Sequence, residues 1–122
     1  ILLCEDNAMN SEIACALLKE KGISVTTADN GELGLRLFSA SAVGDFSIIL
    51  MDVRMPVMDG YEATKQIRAL NRPDAKTIPI IAMTADAFAD DIRKCLDAGM
   101  DSHVSKPIDP EKLFVEIAHF CK

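Results

Sequence analysis

No apolar run in this sequence is long enough to cross a bilayer. The longest, residues 48–51 and 78–83, fall far short of the roughly 20 residues that a spanning helix needs. Basic residues are in the minority, 13 against 19 acidic. The resulting net charge of −6 is the wrong sign for neutralising nucleic-acid phosphates. Neither direct nucleic-acid binding nor direct membrane contact is therefore expected. The cysteines Cys4, Cys15, Cys95 and Cys121 form no C-x-x-C pair and have apolar neighbours. They read as reduced core or near-core thiols of a cytoplasmic protein. Linkers, repeats, low-complexity tracts, an initiator Met and a leader are also missing. Residues 1–122 are expected to form one domain cut from a longer chain. What is present is ordinary for a folding domain: 49% of residues are apolar and 26% charged, enough for one sizeable core and too little for two.

Short apolar runs alternate five times with longer stretches of helical period, the pattern of βα units around a parallel sheet. Strands are expected near residues 1–4, 23–27, 47–51, 78–83 and 102–105. The third and fourth are apolar almost throughout, as central strands covered on both faces are. A first helix is expected over 8–21, with Asn7 as N-cap, Met9, Ile13, Ala16 and Leu17 at helical spacing, and Gly22 as the stop. A second spans 31–40 with Leu33 and Leu37 one turn apart, although Gly34 costs about 1 kcal/mol relative to Ala there. The third follows Asp59-Gly60 and carries Ala63, Ile67 and Leu70. The fourth carries Phe88, Ile92, Cys95 and Leu96 and stops at Gly99. The fifth opens on Asp109 and Pro110 and carries Leu113, Ile117 and Phe120.

In an open parallel sheet the ligand site lies at the carboxyl ends of the strands. Here those ends are polar: Glu5-Asp6-Asn7 after the first run, Asp52 after the third, Thr84 after the fourth and Lys106-Pro107 after the fifth. With strands ordered 2-1-3-4-5, Glu5, Asp6 and Asp52 converge and repel one another unless a cation or proton intervenes. Singly, each acid reads as a helix cap, as Asp59 and Asp109 do. Jointly they do not, because Val53, Arg54, Met55 and Pro56 start no helix after Asp52. Oxygen ligands without His or Cys suit Mg²⁺ or Mn²⁺ better than zinc. Alone, Lys106 reads equally as a solvated lysine and Thr84 as turn chemistry. Together, a metal, an ammonium and a hydroxyl around one carboxylate make a pocket for a transferring phosphoryl group, with Asp52 as nucleophile.

The stretches ILLCEDN, ILMDVRMPVMDGYEA, IPIIAMTADA and GMDSHVSKPID stand in the order and spacing of response-regulator receiver domains, which the chain resembles over its whole length. The resemblance implies an α/β, flavodoxin-like (βα)5 fold with Asp52 as phosphoacceptor, Asp6 as a direct Mg²⁺ ligand and Glu5 as a ligand through water. It also implies that the backbone carbonyl of Arg54 completes the metal shell, that Thr84 is the switch hydroxyl, that Lys106 pairs with the phosphoryl group and that the small Ala85 leaves access to the acceptor. Where many receivers carry an aromatic switch, this sequence has His103, read either as a smaller switch or as a strand residue facing solvent. His119 reads as solvated. The donor is expected to be a histidine-kinase phosphotransfer domain or a histidine-containing phosphotransfer protein, docking on Met9, Asn10, Pro107 and Ile108. Arg54 and Asp86 are expected to face each other across the pocket mouth. The wording of MPVMDGYEAT and DSHVSKPIDPEKLF resembles receivers of hybrid sensor histidine kinases more than those of stand-alone or DNA-binding regulators.

Two other chemistries fit less well. A phosphatase with an Asp nucleophile wants a second carboxylate two residues on, where this chain has Arg54. A flavin mononucleotide carrier wants a phosphate cradle in its first βα loop, where Glu5-Asp6 would repel the phosphate. A phosphoryl-accepting signalling module, not an enzyme turning over a free substrate, is the expected function.

Overall fold

Every described strand pairing is parallel, and the five strands, numbered along the chain, stand side by side in the order 2-1-3-4-5, as expected. The computed structural model describes residues 1–53, 55, 57–84, 89–105 and 109–120, and of residues 89–91 the backbone alone. The elements are β1 (Leu2–Cys4), α1 (Ala8–Glu20), β2 (Thr26–Ala28), α2 (Gly31–Ala40), β3 (Ile49–Asp52), α3 (Gly60–Arg68), a 3-10 turn (Pro73–Lys76), β4 (Ile80–Thr84), α4 (Ala89–Ala98), β5 (Ser102–Ser105) and α5 (Pro110–Phe120). Alternation along the central strands divides the core in two. Leu2, Cys4, Ile49, Met51, Ile80 and Ala82 join Phe38 of α2, Ala63 and Ile67 of α3 and Cys95 of α4. Leu3, Leu50, Ile81 and Met83 join Ala14 and Leu18 of α1 and Leu113 and Ile117 of α5. Burial from both sides is why these strands carry no polar alternation.

Backbone closure of the neighbouring elements moves the strand boundaries from those expected. Ile23, placed in the second strand by its hydrophobicity, donates its N–H to Leu18 O (3.0 Å), while Gly22 N donates to Lys19 O (2.9 Å). These two bonds form a Schellman closure of α1 around Gly22, whose φ is +76°. Pairing begins only at Thr26, whose N–H donates to Ile1 O (3.0 Å). Ile78 likewise closes the 3-10 turn onto Asp74 O (2.9 Å), so β4 starts two residues later than its apolar run. Gly99, with φ +108°, ends α4 in the same way: Met100 N donates to Cys95 O and Gly99 N to Leu96 O.

Two helices bury stripes other than those the apolar spacing suggested, and a third buries only part of its expected stripe. In α1 the buried residues are Ala14 and Leu18, whereas Ala16 is exposed and Met9 and Ile13 stand 70% and 49% exposed. The sheet contact sets the helix rotation, and small Ala14 with Leu18 four residues on fits it more closely than Met9 and Ile13. In α2 the buried residues are Gly31, Gly34 and Phe38, with Leu33 exposed. Gly34 is a packing requirement: a Cβ there would lie 2.5 Å from Cys4 Sγ. In α4, Cys95 and Ala98 are buried and Leu96 is 57% exposed. Phe88 lies outside the described residues.

Candidate functional site

The register of β1 beside β3, with Cys4 opposite Met51, brings the residues after β1 alongside the end of β3. Glu5, Asp6 and Asp52 each place a carboxylate oxygen within 4.8 Å of the other two. Glu5 and Asp52 are only 3% and 2% exposed, while Asp6 is open to solvent. Glu5 Oε1 accepts the Asn7 N–H at 3.2 Å, and Asn7 Oδ1 in turn accepts the Asn10 N–H at 3.1 Å as the N-cap of α1. The loop carrying two of the acids is thus fixed by the start of the helix that follows. Three carboxylates this close, two of them shut away from water, are an unfavourable charge arrangement that a cation offsets. The all-oxygen donor set fits Mg²⁺ or Mn²⁺.

Thr84 closes β4, is 4% exposed, and follows Met83, which sits opposite Asp52 in the ladder. The hydroxyl residue and the acid therefore leave adjacent strand ends. Gly60 backs the acid from the other side: a Cβ there would overlap Asp52 O, and its N–H donates to Val53 O at 3.1 Å. In the sequence Gly60 signalled only a helix start. Its need for close approach to the acid's backbone comes from the α3 contact. Asp59 caps α3, accepting the Glu62 N–H at 2.9 Å, and Asp109 accepts the Glu111 N–H at 3.0 Å, the capping roles expected of them.

A groove of about 560 Å³ runs from Glu5 and Asp6 past Ser11 and Glu12 to Asp29 and Asn30. Glu12 and Asp29 add carboxylates that strand-end reasoning missed, since Asp29 follows the edge strand and Glu12 lies on α1. Of the residues expected to receive a partner, Met9 is exposed and Asn10 half-buried. Ile13, one turn beyond Met9, extends the same exposed apolar surface and was missed by reading it as core. His103 is half-buried on β5 opposite Ala82, and His119 is exposed against the edge of Phe120. Cys4, next to Glu5, is no nucleophile for this site, because burial pushes its thiol up to about 12. None of Cys4, Cys15 and Cys95 forms a disulfide. Arg54, Ala85, Asp86, Lys106, Pro107, Ile108 and Cys121 lie outside the described residues. Among the described residues no helix is long and apolar enough to span a membrane.

Comparison with known proteins agrees with this geometry. The chain is 38% identical over its full length to a hybrid signal transduction histidine kinase I of Dictyostelium discoideum, and 36% identical over 98% of its length to a probable histidine kinase 3 of Oryza sativa. It spans only 7% and 13% of those two proteins. Among solved structures, the receiver domain of the Pseudomonas aeruginosa sensor histidine kinase PA1611, with a magnesium ion coordinated in its active-site cleft, superposes with TM-score 0.87. The two are 37% identical, with 98% of this chain and 93% of that one covered. The receiver domain of the Saccharomyces cerevisiae response regulator Ssk1, co-crystallised with the histidine phosphotransfer protein Ypd1, superposes with TM-score 0.87 at 29% identity. There 98% of this chain and 86% of that one are covered. The family model for the response regulator receiver domain matches residues 1–118, and with the curated relatives it makes this chain a member of that receiver-domain family, of two-component phosphorelay signalling.

Proposed function

We propose that this chain is a single receiver unit, on the cytoplasmic side of a hybrid sensor histidine kinase, that takes a phosphoryl group from a partner phosphohistidine onto Asp52. The observation that carries this reading is the convergence of Glu5, Asp6 and Asp52 within 4.8 Å at adjacent strand ends, with Asp52 buried. A carboxylate oxygen of Asp52 attacks phosphorus in line with the leaving imidazole. The P–O bond forms as the P–N bond breaks, and the imidazole nitrogen keeps the electron pair. Glu5, Asp6 and Asp52, with the carbonyl of Arg54, would hold Mg²⁺, which supplies charge neutralisation at the phosphoryl oxygens. Lys106 pairs with the same charge, and the Thr84 hydroxyl bonds a phosphoryl oxygen. Drawing Thr84 inward biases the unit toward a second conformation, the signal that the rest of the protein reads. His103, half-buried on β5 opposite Ala82, would act either as a smaller switch or as a strand residue facing solvent.

The donor is a histidine-kinase phosphotransfer domain or a histidine-containing phosphotransfer protein. It docks on Met9 and Asn10 of α1 together with Pro107 and Ile108, and the exposure of Met9 and Ile13 supports an apolar contact there. The test is incubation with Mg²⁺ and acetyl phosphate followed by intact mass. One phosphate is expected on the unsubstituted chain and none on Asp52→Asn. Undiminished labelling of that variant would assign the acceptor to another residue.

A further inference from the structure

Gly31, the first residue of α2, has no positive φ that would call for glycine, so helix propensity alone would favour alanine there. Space is what excludes it. A Cβ would overlap Met58 O and lie 3.1 Å from Asp59 O and 3.0 Å from the Cβ of Ala63. The Gly31 N–H donates to Met58 O (3.1 Å), so the first turn of α2 rests directly on the backbone that leads into α3. Gly60, the residue after Asp59, makes the matching contact toward the acid. A Cβ on it would overlap Asp52 O and lie 2.9 Å from Val53 Cα, and its N–H donates to Val53 O at 3.1 Å. From α2 to the end of β3 the contact therefore runs through backbone atoms, Gly31 on Met58 and Asp59, then Gly60 on Asp52. No side chain in that path can change rotamer to absorb a displacement.

We propose that Gly31 is a positioning residue for the acceptor. The first turn of α2 props the backbone of residues 58–60 against the end of β3, and so fixes where the Asp52 carboxylate lies relative to Glu5 and Asp6. The proposal rests on the phosphotransfer reading of Asp52. In-line attack needs the reacting oxygen at a set place and angle, and a misplacement of about 1 Å imposed from outside the chemistry can cost about 100-fold in rate. Gly31 acts through the backbone of residues 58–60, not on the reacting atoms. The prop is itself held at both ends. Asn30 caps α2, its Oδ1 accepting the Leu33 N–H at 2.8 Å, and Asp59 caps α3, its Oδ1 accepting the Glu62 N–H at 2.9 Å.

The experiment measures the rate of labelling by acetyl phosphate, with Mg²⁺ and acetyl phosphate both saturating, at a temperature where circular dichroism shows each chain folded. Gly31→Ala is expected to label about tenfold more slowly than the unsubstituted 122-residue chain. Gly99→Ala is the destabilised control. Its φ of +108° strains any other residue, and it lies between α4 and the start of β5, at the opposite edge of the sheet from Asp52. It is expected to label at the unsubstituted rate. Asn30→Ala loosens the first turn of α2 without a clash and is expected to slow labelling about threefold, while Asn30→Ser keeps a capping oxygen and recovers most of the rate. An unsubstituted rate in Gly31→Ala, an equal loss in Gly99→Ala, or equal losses in Asn30→Ala and Asn30→Ser overturns the proposal. Where Gly31→Ala does not fold, the Asn30 pair decides alone. Retained labelling of Asp52→Asn is a separate result, which removes the phosphotransfer reading beneath the proposal.

Discussion

Gly34 of α2 and Cys4 of β1 meet with no space between them: a Cβ on the glycine would lie 2.5 Å from the cysteine Sγ. Both are buried, so the thiol has no free volume to swing into. Gly34→Ala is therefore expected to destabilise by about 1–3 kcal/mol, outweighing the roughly 1 kcal/mol it gains in helix propensity. Cys4→Ala removes the obstructing atom. The double variant is expected to recover most of the loss in chemical denaturation, a coupling above about 1 kcal/mol. Additive losses would mean that the contact is not the cause.

Far from the acids, Arg72 forks onto Asp74, with Nε to Oδ1 at 2.6 Å and Nη2 to Oδ2 at 2.8 Å, and donates from Nη1 to Phe38 O and Ser41 O. The hydrogen bond from Arg72, seconded by its charge, holds the Asp74 carboxyl below its ordinary range. A carboxyl whose folded value is depressed adds stability above its unfolded value and loses it as pH falls through the folded one. Stability is thus expected to fall on acidification below about pH 4, with a shallower fall in Asp74→Asn. Arg72→Lys keeps the charge and loses the fork, so it is expected to destabilise as well. Parallel acid melting curves for the unsubstituted chain and Asp74→Asn would refute the linkage.

Magnesium is expected to raise the melting temperature, because only the folded chain gathers Glu5, Asp6 and Asp52. At ten times its Kd, a single-site ligand adds about 1.4 kcal/mol, roughly 3–6 °C for a chain of this size. Asp6→Ala is expected to abolish the shift and, by removing one like charge, to melt no lower than the unsubstituted chain without metal. A melting temperature indifferent to magnesium in both proteins would exclude the metal site.

Met9→Asp and Ile13→Asp change exposed positions and are expected to alter stability by no more than about 0.5 kcal/mol. Each is expected to slow transfer from phosphorylated Ypd1 about tenfold or more while leaving acetyl phosphate labelling intact. Unchanged transfer in the pair combined would move the docking surface off α1.

The parallel sheet and its acidic strand ends were legible in the sequence because both follow from one-dimensional regularities, and the resemblance to receiver domains carried the strand order. Short apolar runs alternating with helical stretches point to a parallel sheet, whose strand carboxyl ends share one edge, and with β1 beside β3 this brings Glu5 and Asp6 to Asp52. The helix caps Asn7, Asp59 and Asp109 were legible because a cap bonds a backbone N–H within three residues. Tertiary contact decided the rest. The apolar spacing of α1 allows more than one rotation, and closeness to the sheet selected Ala14 and Leu18, releasing Met9 and Ile13 to the surface. Gly34 counts against a helix in one dimension and is required once Cys4 lies beneath it. The positive φ of Val57, +70°, likewise has no sequence signal, because valine is disfavoured in that region and nothing in its neighbours' identities announces it.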